Sequence, residues 1–210
     1  MKVRQSILAL KEIFCLSLVL PLLLLSFAAV AEDKPKAAAA PPSPEEMMKA
    51  WMAAATPGEA HKKLEPLVGS FSVKTISRMD PSKPPEETTG TSEKKWILGG
   101  RFLEEHAEGS MMGQPFSGLG FTGYDNYRKR YVGAWMDNMG TMILTSSGTV
   151  DASGKKFTSW STMDDVVTKK TIKVKGVLTI ADNDHHTFEM WGPGPDGKMF
   201  KSLEIHYTRK

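Results

Sequence analysis

From Gly69 to the end of the chain, apolar and polar positions alternate with a period of two, the signature of half-buried strands. Phe71, Val73 and Thr75 alternate with Ser72, Lys74 and Ile76, and further runs of β-branched and aromatic residues follow between turn signals. The pattern predicts strands near 71–79, 92–98, 101–108, 116–124, 128–137, 140–150, 156–162, 169–180, 186–191 and 198–208. Loops and turns are predicted at 80–85, Gly99-Gly100, Tyr124-Asp125-Asn126, 151–154, 182–184 and 192–197. Such short connections make neighbouring strands antiparallel, as in a meander. About ten strands would leave two exposed edges as one open sheet, so closure into an up-and-down barrel is expected, with a sandwich as the alternative. The fold class is therefore all-β.

Before Gly69 the periodicity is helical. Ser43 followed by Pro44 is a helix start, with Glu45 and Glu46 placed favourably in the first turn. Met47, Met48, Trp51 and Met52 then fall on one stripe of a helix reaching about Ala55, and this stripe is expected to pack on the domain. A lipid or ligand surface is the alternative for it. Thr56-Pro57 repeats the start signal, predicting a second short helix that carries His61 and Leu64 and ends near Gly69. Residues 45–68 thus form a helical cap ahead of a barrel domain at 69–210.

Two segments precede the cap. Residues 32–44 are rich in Lys, Ala and Pro without apolar periodicity and read as a flexible linker. Residues 1–31 have a positive start, an apolar run from Ile13 to Leu25, and Ala29-Val30-Ala31 before Glu32-Asp33. That is the pattern of a cleavable signal peptide, so an exported, periplasmic or secreted protein is expected, with no stable membrane span after cleavage.

Charge and cysteine content narrow the function classes. The net charge of +3 includes Lys2, Arg4 and Lys11 against Glu12 in the leader, which leaves the remainder near +1. This gives no electrostatic case for a nucleic-acid partner. The only cysteine, Cys15, lies in the leader, and no nucleophile motif is present.

Several segments carry a family resemblance: residues 61–64 through Gly69-Ser70-Phe71, 95–103, 118–125, 184–190 and 207–210. Over roughly 59–210 the chain resembles the bacterial family of unknown function DUF1579, whose expected fold is lipocalin-like. Gly69-x-Phe71 is similar to the Gly-x-Trp that leads into the first strand of that broader group, with Phe in place of Trp. The resemblance implies a barrel and brings no established activity.

The candidate chemistry is sparse. Gly118-Leu119-Gly120-Phe121-Thr122-Gly123 matches G-x-G-x-x-G, but strand-like sequence on both sides denies it the strand-to-helix context of a dinucleotide site. The glycines instead suit strand curvature or close packing. Asp182, Asp184, His185 and His186 are dense in ligand types, yet adjacent histidines on a strand point apart, so no metal site is assigned. Glu104 and His106 share one strand face, as do Glu204 and His206. Pointing inward these four would line a polar pocket able to hold metal or exchange protons; pointing outward they are solvated, which their apolar alternates favour. Trp96, Arg101, Phe102, Phe121 and Trp135 are the candidate ligand-binding residues, aromatics for an apolar cavity and an arginine for a carboxylate. The leading expectation is binding of a small apolar or amphipathic molecule inside the barrel, with no cofactor. An envelope-associated interaction protein that uses the barrel exterior, and a metal-binding or hydrolytic protein, are the alternatives.

Overall fold

The computed structural model describes residues 41–210 apart from 79–81, 167 and 195. The expected leader and residues 32–40 of the linker lie outside the described residues, as does part of the loop at 80–85. Ten strands follow three short helical elements: β1 Gly69–Ser77, β2 Glu86–Ile97, β3 Phe102–Met111, β4 Gln114–Asp125, β5 Arg130–Asp137, β6 Leu144–Val150, β7 Lys156–Asp164, β8 Thr171–Ile180, β9 His185–Pro193 and β10 Met199–Arg209. Each pairs antiparallel with its sequence neighbours, and β1 pairs with β10, so the barrel is closed and no strand edge is left free. The closing register runs from Phe71 opposite Arg209 to Ser77 opposite Leu203.

Helix α1, Pro44–Ala55, begins where the sequence places it: Ser43 Oγ accepts from the Glu46 backbone N–H, and Glu46 returns the bond to the Ser43 N–H at 2.7 Å. Its apolar stripe departs from expectation. Met47, Met48, Trp51 and Met52 are all exposed, and no residue of α1 is buried. The helix is held instead at its end, where Asn126 Nδ2 donates to the carbonyls of Ala54 and Thr56.

One barrel end is sealed by α2, Glu59–Lys62, and a single 3-10 turn, Glu65–Leu67. One continuous second helix is expected from the sequence; Pro66 lacks the N–H to continue it and its ring crowds the preceding turn. The break lets Leu64 and Leu67 turn into the barrel end, where they are buried against Leu103, Tyr131, Phe157 and Ile180. Burial of each leucine stabilises the seal by about 1.5–3 kcal/mol. Hydrogen bonds fix it: Tyr131 Oη donates to Ala60 O, Trp96 Nε1 to Glu65 Oε2, and the Arg209 guanidinium to the carbonyls of Val68 and Pro66.

Strand curvature depends on glycines at close approaches. A Cβ on Gly148 in β6 would run into the carbonyl oxygen of Thr158 on β7, a backbone atom that cannot swing aside. Gly148→Ala is therefore expected to destabilise the barrel by about 1–3 kcal/mol or more, measured as a lowered midpoint in urea unfolding.

Candidate functional site

The alternation of each strand divides its residues into an outer and an inner set, and the inner set encloses a cavity of about 980 Å³. The seal formed by Leu64, Leu67, Tyr131 and Phe157 is its floor. Its walls are mostly apolar, including Val73, Phe116, Trp135, Phe188, Leu203 and Ile205, and residues at the opposite barrel end such as Glu86, Asp137, Met142 and Asp164 form the rim.

Glycines in β4 make room for aromatic rings on the neighbouring strands. Gly118 and Gly120 of the glycine motif lie under the Trp135 indole, and a Cβ on Gly120 would come within 2.9 Å of that ring. Gly123 receives the Phe102 ring in the same way, since the two residues face each other between β3 and β4. Each glycine of the motif thus seats an aromatic ring. Trp135 is fixed further by its Nε1–H, which donates to Asp137 Oδ2 at 2.9 Å, and by stacking on Phe116.

One polar cluster interrupts the apolar wall. Lys94 on β2 stands opposite Glu105 on β3, with Nζ 3.4 Å from Glu105 Oε1. Lys94 Nζ also lies 3.0 Å from His186 Nε2 and 3.9 Å from the centre of the Tyr207 ring. Ser92 Oγ donates to Glu105 Oε1 at 2.7 Å. His186 and Tyr207 stack, and Phe71 packs edge-on against both. Lysine has donors only, so with Lys94 protonated His186 Nε2 accepts and its other nitrogen carries the proton.

Burial governs the charges in this cluster. The Lys94 side chain keeps 5% of its surface, and desolvation pushes its amine below the ordinary lysine range against the opposing pull of Glu105. Desolvation, joined by repulsion from Lys94 and Arg209, drives His186 down to about 2, so it is neutral at physiological pH. Burial raises the Tyr207 hydroxyl, and the Glu105 carboxylate raises it further.

The sequence-derived candidates scatter over this geometry. Trp135 lines the cavity. Phe121 is among the residues that border the cavity, while its register opposite Glu104 turns its side chain to the outer face. Phe102 lies outside over Gly123. Trp96 is part of the seal through Glu65. Arg101 sits exposed in the β2–β3 turn, donating to the Leu98 carbonyl.

Glu104, His106, Glu204 and His206 all face outward, so they line no barrel pocket. Glu104 is engaged by Lys95 and His106, and Glu204 by Lys201, His206 and Arg78. β3 and β10 are separated by β2 and β1, three strand spacings or about 14 Å, too far for one metal ion. Among the described residues no group of three or more His, Cys, Asp or Glu is arranged to hold a metal ion.

Sequence reasoning missed Lys94, Glu105 and Tyr207. A signal exists in retrospect: Ser92 and Lys94 alternate in phase with Trp96, and Glu105 is in phase with Leu103 and Ala107.

These features define a closed ten-stranded antiparallel barrel with an apolar-walled interior and a charged pair set into its wall. Residues 56–209 match the family described as "Protein of unknown function (DUF1579)", and the chain belongs to that family. Among solved structures it is similar to "Crystal Structure of Rv2717c from M. tuberculosis", at 16% identity and a TM-score of 0.55, covering 74% of this chain and 99% of that one. That likeness shows a shared fold. "Structure of a redesigned beta barrel" also matches, at 16% identity over 74% of this chain and 99% of that one, with a TM-score of 0.37. No curated protein matches the chain. No described helix is long and apolar enough to cross a membrane.

Proposed function

We propose that this protein binds a small apolar or amphipathic molecule inside its barrel, outside the cytoplasm. The observation that carries the reading is the cavity of about 980 Å³, at the upper end of the size range of small-molecule sites and walled mainly by apolar side chains. Export rests on the leader pattern of residues 1–31. Trp135 in the cavity wall supplies a built-in reporter. Titration of the purified protein with 1-decanol is expected to shift its tryptophan emission saturably, and Trp135→Phe is expected to remove most of that shift. Native mass spectrometry should show one added molecule per chain that is lost on denaturation. An emission that stays flat up to the solubility limit of decanol, with no added mass, would refute the reading.

A second reading is motivated by α1. Its exposed Met47, Met48, Trp51 and Met52 form an apolar face that suits an interaction made outside the barrel.

A further inference from the structure

Among the described residues Lys94 is the one basic group lining the cavity; the other charged lining groups, Glu86, Glu105, Glu108, Asp137 and Asp164, are acidic. A ligand carboxylate entering this interior would meet repulsion, and the single cation is already matched by Glu105 at 3.4 Å. What the site offers is an amine in an apolar enclosure, with a carboxylate on one side and the neutral imidazole of His186 at 3.0 Å on another. Desolvated lysines in apolar pockets are the ones that act as nucleophiles toward carbonyl groups.

We propose that Lys94 captures an apolar aldehyde held in the cavity as a reversible imine. The inference rests on the cavity reading given above. Glu105, the carboxylate 3.4 Å away, takes the ammonium proton, leaving the nitrogen lone pair free. That pair attacks the carbonyl carbon, and the C=O π electrons move to oxygen to give a carbinolamine. The two protons left on nitrogen pass to that oxygen, one completing the neutral carbinolamine and one as the oxygen leaves as water and the nitrogen lone pair closes the C=N bond, while the first proton stays on Glu105. One amine and one aldehyde thus yield one imine and one water, with no oxidant or reductant consumed. When the imine is protonated, Glu105 is its counter-ion. Apolar walls limit the access of water and so slow the reverse hydrolysis.

The purified protein would be incubated with decanal near neutral pH, reduced with cyanoborohydride, digested and mapped by mass spectrometry. A decyl adduct is expected at Lys94 in preference to exposed lysines such as Lys62 and Lys198, because desolvation favours its free base. Excess 1-decanol, which fills the same space without a carbonyl, should suppress the Lys94 adduct and spare the surface ones. Lys94→Gln combined with Glu105→Gln removes both charges together and should lose the protected adduct. Decanol binding with adducts confined to exposed lysines would overturn the imine and leave the cavity reading standing. Failure of both decanol and decanal to bind would overturn both.

Discussion

Glu105→Ala is expected to destabilise the barrel by about 3–5 kcal/mol at pH 7, the usual cost of removing one partner from a buried ion pair. The loss arises because Lys94, with 5% of its side chain exposed, would keep a charge with no counter-ion. The amine has one escape, which is to release its proton. Doing so at pH 7 from an unfolded value near 10.4 costs about 5 kcal/mol, and that sets the ceiling. A pH signature follows. Once that release occurs the native state holds Lys94 neutral while the unfolded state holds it protonated, so stability then rises as pH increases from 7 toward 10. Urea unfolding at pH 7 and pH 9.5 measures both terms. Lys94→Gln with Glu105→Gln should recover most of the lost stability, because a neutral pair of similar shape leaves no isolated charge. An alanine variant within about 1 kcal/mol of the parent, the range of an exposed pair, would show that Lys94 finds water or another partner.

The second large effect concerns His186, which is 2% exposed and held neutral with a pKa of about 2. Its folded value lies below the unfolded value of 6.5, so between these two the unfolded state binds a proton that the native state refuses. Stability is therefore fully present above pH 6.5 and declines as pH falls through that window. At pH 5 the contribution is about 2 kcal/mol, and at pH 4 about 3 kcal/mol. His61, also buried and shifted down by desolvation, adds a loss of the same sign. Carboxylates held below their ordinary range, such as Asp125 and Glu204, add theirs at lower pH, so the interval from 6.5 to 5 isolates the histidines best. His186→Gln is expected to flatten the dependence of unfolding free energy on pH over that interval by about 2 kcal/mol, whatever it does to stability at pH 7. An unchanged slope would mean that His186 takes up a proton within the fold.

Both effects arise in the cluster that was least visible in the chain. Period-two alternation sorts residues into two faces, but it does not say which strands lie side by side. Lys94 meets Glu105 because β2 and β3 pair in that register, and Tyr207 meets His186 because β10 and β9 pair in theirs. The two halves come together only when β1 bonds to β10 and closes the ring, placing Phe71 between Ser92 and Arg209. Glu104, His106, Glu204 and His206 depend on the same information. Their shared faces, and through their apolar alternates the outward direction, were legible in the chain, whereas the separation of β3 from β10 follows from barrel closure.

The sequence by itself determined the strand-forming segments apart from the first half of β2, residues 86–91, together with the antiparallel order and the start of α1, because each rests on neighbours within a few residues: alternation, turn residues, and the Ser43–Glu46 capping pair. It also carried the reason the glycine motif is no phosphate loop, since a strand continues on either side. Tertiary structure alone decided that the barrel is hollow, that the Met and Trp stripe of α1 stays exposed, and that one lysine is buried in the cavity wall. These outcomes depend on how much volume ten inner faces enclose and on which distant side chains they bring together, quantities that no local pattern contains.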